Sequence, residues 1–251
     1  MGDTAGDTAD RGRPSTAYTG EAEGWNVLAE KFSELSRTLQ EQDDLDATLQ
    51  AIVVAATDTV PGVEYASISA VRKHREVTTI AATGDLPRAV DQAQYDAGEG
   101  PCLQSLYEQQ TVRLPDIAAE TRWPRFAARA REIGMGSMLA IQLYVTGADL
   151  GALNLHSTRA NAFTDESEQV GLLFAAHAAV AIVGAREQAQ LQTAINSRDL
   201  IGQAKGILME RYKISAQEAF QLLVLASQNA NIKLIDVAGY LARTGLLTSD
   251  S

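Results

Sequence analysis

Two runs of this sequence set a reactive or charged side chain among glycines. Ile201-Gly202-Gln203-Ala204-Lys205-Gly206 places one ammonium group between two glycines, and Gly98-Glu99-Gly100-Pro101-Cys102 places the only cysteine behind a proline. A lysine flanked by glycines suits an anionic polymer, because glycine lets a backbone or base come close and the ammonium neutralises phosphate. The spacings do not fit mononucleotide or dinucleotide chemistry. Gly202 to Gly206 is not the Gly-x-x-x-x-Gly-Lys-Ser/Thr of a phosphate loop, and Leu103 and Leu139 stand where a dinucleotide fingerprint starting at Gly98 or Gly134 needs glycine. Cys102 follows Pro101 at an expected helix N-terminus, a place that lowers a thiol pKa and makes a redox role conceivable; the alternative is a small buried hydrophobe. His74, His156 and His177 are isolated, with no partner at metal-ligand spacing. His177 lies on an apolar helix and is expected in a core or a dimer seam. The chain therefore reads as a non-enzyme with no metal, no cofactor and no catalytic residue.

The lysine run belongs to a helical pattern. Arg198, Gly202, Lys205 and Met209 fall on one helix face, while Ile201, Ala204 and Leu208 fall on its neighbour and are expected in a core. Glycine inside a helix costs roughly 1 kcal/mol against alanine, so two so close together call for a reason. That reason is either close approach of a nucleic acid or tight helix packing. Arg211, Lys213 and Lys233 extend the basic patch, and the turn from Ser227 through Asn229 to Asn231 supplies polar donors at the start of a further helix.

The formal net charge is -11 over 251 residues, which speaks against indiscriminate nucleic-acid binding by the whole protein. From Arg186 onward, seven basic residues meet six acidic ones, so the tail is near +1 and the acidity lies elsewhere. One cysteine allows no intramolecular disulfide and fits a reducing cytoplasm. Residues 1–20 have no apolar segment of a signal peptide and are expected to be disordered. The apolar run 172–185, about 14 residues, is short for a bilayer.

The elements that must position these residues follow from periodicity. Helices are expected over 21–40 and 45–59, the second capped by Asp43 or Asp44. Strands at 65–71 and 77–82 form a hairpin across a polar turn at 73–76 that contains His74. Helices at 86–95 and 101–108, a strand at 111–114 and a helix at 124–133 follow. A second hairpin pairs 137–145 with 150–155. One long helix then runs over 164–212, with Thr164 as N-cap and Asp165, Glu166 and Glu168 in its first turn. The alternative is a break near Gly184 or at Asn196-Ser197. Ser215 with Glu218 forms a capping box opening the next helix, and a last helix spans 232–243 before Gly245. The fold class is α+β: an antiparallel sheet with flanking helices, a long helix, and a small helical bundle.

Tyr65-Ala66-Ser67-Ile68-Ser69, Gly98-Glu99-Gly100-Pro101-Cys102, Trp123-Pro124-Arg125-Phe126 and Leu150-Gly151-Ala152-Leu153-Asn154-Leu155, in this order, resemble a GAF domain. Arg198 through Met209, Ser215 through Phe220, and Lys233 through Ala238 closely resemble an ANTAR domain, the RNA-binding module of bacterial antiterminators. The domain plan is a tail at 1–20, a GAF domain at 21–185, a coiled-coil stretch at 186–196 and an ANTAR domain at 197–247.

The resemblance implies a homodimeric, cytoplasmic antiterminator that binds paired RNA hairpins with small loops in nascent mRNA and blocks terminator formation. Gln203, Ala204 and Gly206, interleaved with Gly202 and Lys205, complete the expected RNA-binding set. Trp25, Phe32, Leu173, His177, Val180, Leu191 and Ile195 are expected at the dimer interface. The GAF resemblance also implies a pocket between sheet and lid helices, but no residue signature names a small-molecule ligand. The alternative is a ligand-sensing dimerisation module whose tail binds a protein partner or DNA.

Overall fold

The structure, a computed structural model, describes residues 16–42, 44–71, 76–108, 111–145 and 148–247. The chain divides into two compact units, 1–183 and 184–251. Helix α1 (Thr16–Gln40) starts earlier than its apolar pattern suggests, so residues 16–20 are helical; the rest of the expected tail lies outside the described residues. Asp44 caps α2 (Leu45–Thr59), its carboxylate accepting from the Ala47 N–H at 2.7 Å. Asp43, and the turn residues 72–75 with His74, lie outside the described residues.

Five strands build the sheet: β1 (Tyr65–Val71), β2 (Val77–Ala82), β3 (Val112–Leu114), β4 (Ser137–Val145) and β5 (Ala148–Ser157). They are ordered β2-β1-β5-β4-β3, and every pair is antiparallel. Strand β5 starts before the expected Leu150.

Alternation along the strands sends two residue sets to opposite faces. Ile68, Leu139, Ile141, Leu143, Leu153 and Leu155 form one core with α2, α1 and the start of the long helix. On the other face Met138, Ala140 and Ala152 meet three helices: α3 (Asp85–Ala97), α4 (Pro101–Glu108) and α5 (Pro124–Ile133). Trp123 is buried at the head of α5, with the Arg122 guanidinium 4.1 Å above its ring.

Strand β5 passes very close to β1 at Gly151. Its φ is +144°, and a Cβ there would stand 1.9 Å from the Ser69 carbonyl oxygen, which is backbone and cannot step aside. Gly151→Ala is expected to cost about 3 kcal/mol or more from strain and overpacking together. A large drop in the melting temperature of the first unit would show this; an unchanged melting curve would refute it.

Helix α6 (Asp165–Tyr212) is continuous, without a break at Gly184 or at Asn196-Ser197. Thr164 caps it, with the Ser167 N–H donating to its hydroxyl at 3.3 Å and its own N–H donating to the Ser167 hydroxyl at 3.0 Å. By length and composition α6 would suffice to cross a membrane, more than its apolar run 172–185 suggests. Its residues Phe174, Ala178, Ala179 and Ile182 are instead buried in the first unit.

In the second unit the end of α6 packs with α7 (Ala216–Ala230) and α8 (Leu234–Thr244) around Ala204, Leu208, Ala219, Leu223, Val237, Ala238 and Leu241. The capping box at Ser215 and Glu218 forms in both directions. Helix α8 begins at Leu234, later than the pattern from Ile232 suggests.

Candidate nucleic-acid interface

The second unit shows which face of α6 is free. Ala204 and Leu208 are fully buried, as their helix face predicts, which removes Ala204 from the RNA-binding set: its methyl group belongs to the core. Arg198, Gly202, Gln203, Gly206 and Met209 are exposed, and Lys205 is half-buried beside them. A Cβ built on Gly202 or on Gly206 would meet nothing within 4 Å. Tight packing within this chain therefore does not explain these two glycines, and their helix-propensity cost stands uncompensated on an open face. Among the described residues Arg198, Lys205, Arg211 and Lys233 form no ion pair, whereas Lys213 pairs with Glu210. Arg211 lies beside Gly245, the C-cap of α8, where a cation also complements the helix dipole.

Two members of the α7–α8 turn have structural work. The Ser227 hydroxyl donates to the Ile232 carbonyl at 2.6 Å, and Asn231, with φ +52°, closes α7 as its C-cap. Asn229 is exposed and lines a groove between α7 and α8.

In the first unit the Gly98–Cys102 run is structural. Glu99 caps α5, accepting from the Arg125 N–H at 2.7 Å and the Phe126 N–H at 3.2 Å. Gly100 leaves room for the Gln94 side chain, which accepts from the Cys102 N–H at 2.8 Å. Cys102 itself is fully buried, and burial pushes its thiol up to about 12. Of the two readings of Cys102, the buried hydrophobe fits and the redox role does not: desolvation overrides the helix N-terminus, and the thiol stays protonated.

Around Cys102 lies a buried polar cluster that sequence reasoning missed. Asp91 on α3 is fully buried and accepts from the Thr79 hydroxyl at 2.9 Å and the Asn154 amide at 3.0 Å. The Asn154 amide also donates to Ser69 Oγ at 2.8 Å and reaches Cys102 Sγ at 3.3 Å. Tyr95 joins Ser69 and Thr79 at 2.6 and 3.1 Å. His156 Nε2 lies 3.2 Å from Ser67 Oγ and 3.9 Å from Asp91.

Burial pushes Asp91 up to about 7 and His156 down to about 3, so both favour the neutral form. Serine, histidine and aspartate types are all present, but one imidazole nitrogen faces both Ser67 and Asp91 while Nδ1 has no partner. A nucleophilic relay needs the two nitrogens on opposite partners and an accessible hydroxyl, and Ser67 is fully buried. The only hint in the sequence was the alternation of Asn154 and His156 with leucines.

A model of the GAF domain matches residues 42–183, and a model of the ANTAR domain matches residues 189–241. This chain belongs to the GAF family and carries an ANTAR domain behind it. The sheet with helices on both faces and the terminal helices are thus a GAF–ANTAR arrangement.

Among solved structures, the GAF domain of a phosphoenolpyruvate-protein phosphotransferase from Coxiella burnetii is 19% identical, with a TM-score of 0.52 over 65% of this chain and 96% of that one. The corresponding GAF domain from Acinetobacter is 18% identical, with a TM-score of 0.53 over 64% and 96%. A free methionine-R-sulfoxide reductase from Neisseria meningitidis is also 18% identical, with a TM-score of 0.53 over 64% and 92%. At such identities the likeness is one of fold. No curated protein matches the chain significantly.

Proposed function

We propose that this GAF–ANTAR protein is a cytoplasmic, non-enzymatic homodimer that binds paired RNA hairpins with small loops in nascent mRNA and so keeps a terminator from forming. The observation that carries this reading is the open face of α6, where Gly202 and Gly206 flank Lys205 with free space beside both. An RNA backbone or a splayed loop base fits there, with the ammonium against phosphate. Arg198, Gln203 and Met209 border the face, and Arg211, Lys213 and Lys233 add charge. Asn229 is a further contact, while Ser227 and Asn231 hold the turn.

Dimerisation is supported by apolar residues of α6 that no described residue covers. Leu173, Val180, Leu191 and Ile195 are 43%, 67%, 66% and 54% exposed. From 187 to 196 the helix is exposed on every side, so Leu191 and Ile195 call for a partner. His177 sits between Leu173 and Val180, donating from Nδ1 to the Leu173 carbonyl at 2.8 Å. Phe32 is taken up by its own chain, 4.8 Å from the His177 ring and 6.5 Å from Phe174, and borders the seam. The Trp25 side chain lies outside the described residues. The GAF domain acts as the dimerisation platform and sensory module.

Lys205→Ala is expected to weaken hairpin binding without lowering the melting temperature. It should also reduce the salt dependence of binding by about one phosphate contact. Unchanged affinity and salt slope in a titration series would remove Lys205 from the interface.

A second reading, a tail that binds protein or DNA, is favoured by exposed Leu225 and Ile232 and by the tail's low basic charge. A gel-shift comparison of hairpin RNA with duplex DNA separates the two nucleic acids.

A further inference from the structure

A groove of about 750 Å³ opens between α7 and α8, a size within the range of ligand sites. Each helix contributes one face. Leu225 and Asn229 stand one turn apart on α7, and Asp236, Tyr240 and Arg243 stand at successive turns on α8, with Ile232 in the turn between. Leu225 and Ile232 are 53% and 49% exposed, an apolar floor without cover. Among the described residues neither the Asp236 carboxylate nor the Arg243 guanidinium has an ion-pair partner.

The chemistry is that of a base-reading pocket. An aromatic ring and an aliphatic floor accept a flat π-face. A carboxylate accepts hydrogen bonds and cannot donate them. Of the RNA bases, guanine offers a carboxylate two adjacent donors, N1–H and the N2 amine, on its Watson–Crick edge. Arg243 lines the groove and offers a guanidinium to a flanking phosphate, and Lys233 is the N-cap of α8, next to the lining residue Ile232.

We propose that the α7–α8 groove holds an unstacked guanine from an RNA hairpin loop, stacked on Tyr240 and read by Asp236. This rests on the RNA-binding reading above and extends it from phosphate contacts to sequence choice. The charge pattern favours a nucleotide over an apolar helix from a protein, because a buried Asp236 would then be left without donors.

The test uses the full-length chain and a pool of hairpin RNAs with one constant stem and a randomised loop. Wild type enriches loops with guanine at one position. Asp236→Asn loses that preference by about tenfold while still binding the pool through phosphates. Tyr240→Leu weakens binding by about tenfold, and Tyr240→Phe restores it, since stacking needs the ring and not the hydroxyl. Thermal melting checks that each variant is folded.

Enrichment without guanine preference, or variants that match wild type in affinity and loop choice, would overturn the groove assignment and leave RNA binding standing. Failure of wild type to retain any hairpin would sink both readings. If Tyr240→Leu leaves RNA binding intact but shifts the sedimentation mass, the groove is instead an interface between copies.

Discussion

Gln190→Pro is expected to leave both domains folded and yet to cut affinity for an RNA carrying two paired hairpins by about 100-fold or more, with single-hairpin affinity unchanged. Position 190 lies in the stretch of α6 where every residue is exposed, so only the intrahelical backbone bonds hold the chain there. Proline removes one such bond and clashes with the carbonyl of Arg186, a cost of about 3 kcal/mol that no packing offsets.

In the proposed dimer α6 is at once the last GAF helix, part of the seam and the first ANTAR helix. Its continuity sets the effective concentration of the second ANTAR unit at the second hairpin. Losing a fixed spacing forfeits an avidity on the order of 10²–10⁴. Fluorescence anisotropy with one-hairpin and two-hairpin RNAs reads this directly. If the proline variant binds both RNAs as wild type does, the helix is only a tether.

The second large effect concerns Asp91 and His156, whose pH responses should cancel in the wild type and emerge in the single variants. Asp91 titrates near 3.8 when unfolded and is pushed up to about 7 by burial. Its contribution to stability is thus fully present below 3.8 and lost as pH rises through about 7. His156 titrates near 6.5 when unfolded and is pushed down to about 3, so its contribution is present above 6.5 and lost as pH falls through about 3.

Between those windows the folded pair keeps one proton on Asp91 and the unfolded pair keeps one on histidine, so folding takes up none. Wild-type stability is then nearly flat from about pH 4 to pH 6.5. His156→Gln should lose stability with rising pH across that interval, and Asp91→Asn should gain it. Each slope approaches roughly 1.4 kcal/mol per pH unit. Urea denaturation at several pH values measures this. Equal slopes in the two variants would show that the groups do not titrate as their burial requires.

Much of the architecture was legible because it is locally encoded. The capping box needs only Ser215 and Glu218 three residues apart, and it forms as spaced. The long helix follows from an apolar period that no proline interrupts, and α4 and α5 start at their prolines. The Lys205 face was legible for the same reason: a 3.6-residue repeat puts Gly202 and Lys205 outward and Ala204 and Leu208 inward.

What failed were inferences from local chemistry to environment. Ser67 and Ser69 alternate with apolar residues as a solvent-facing strand would, yet both are fully buried. Period two tells which residues share a face; α3, α4 and α5, distant in sequence, decide what covers it. Asp91 gave no signal at all, since an acid on a helix is ordinarily solvated. Cys102 followed a sound local rule and was overruled by the same covering helices. Phe32, expected to face a partner, found His177 and Phe174 in its own chain.

By itself, then, the sequence determined the order of elements, their caps, the family of each domain and the helix face that carries Lys205. These depend on backbone geometry within a few residues. Only the tertiary structure decided that Gly202 and Gly206 border open space, that the Cys102 thiol is sealed from solvent, and that Asp91 of α3 and His156 of β5 are buried together in a setting that favours their neutral forms. Solvent access and dielectric are set by atoms brought together from far along the chain, and no short-range pattern records them.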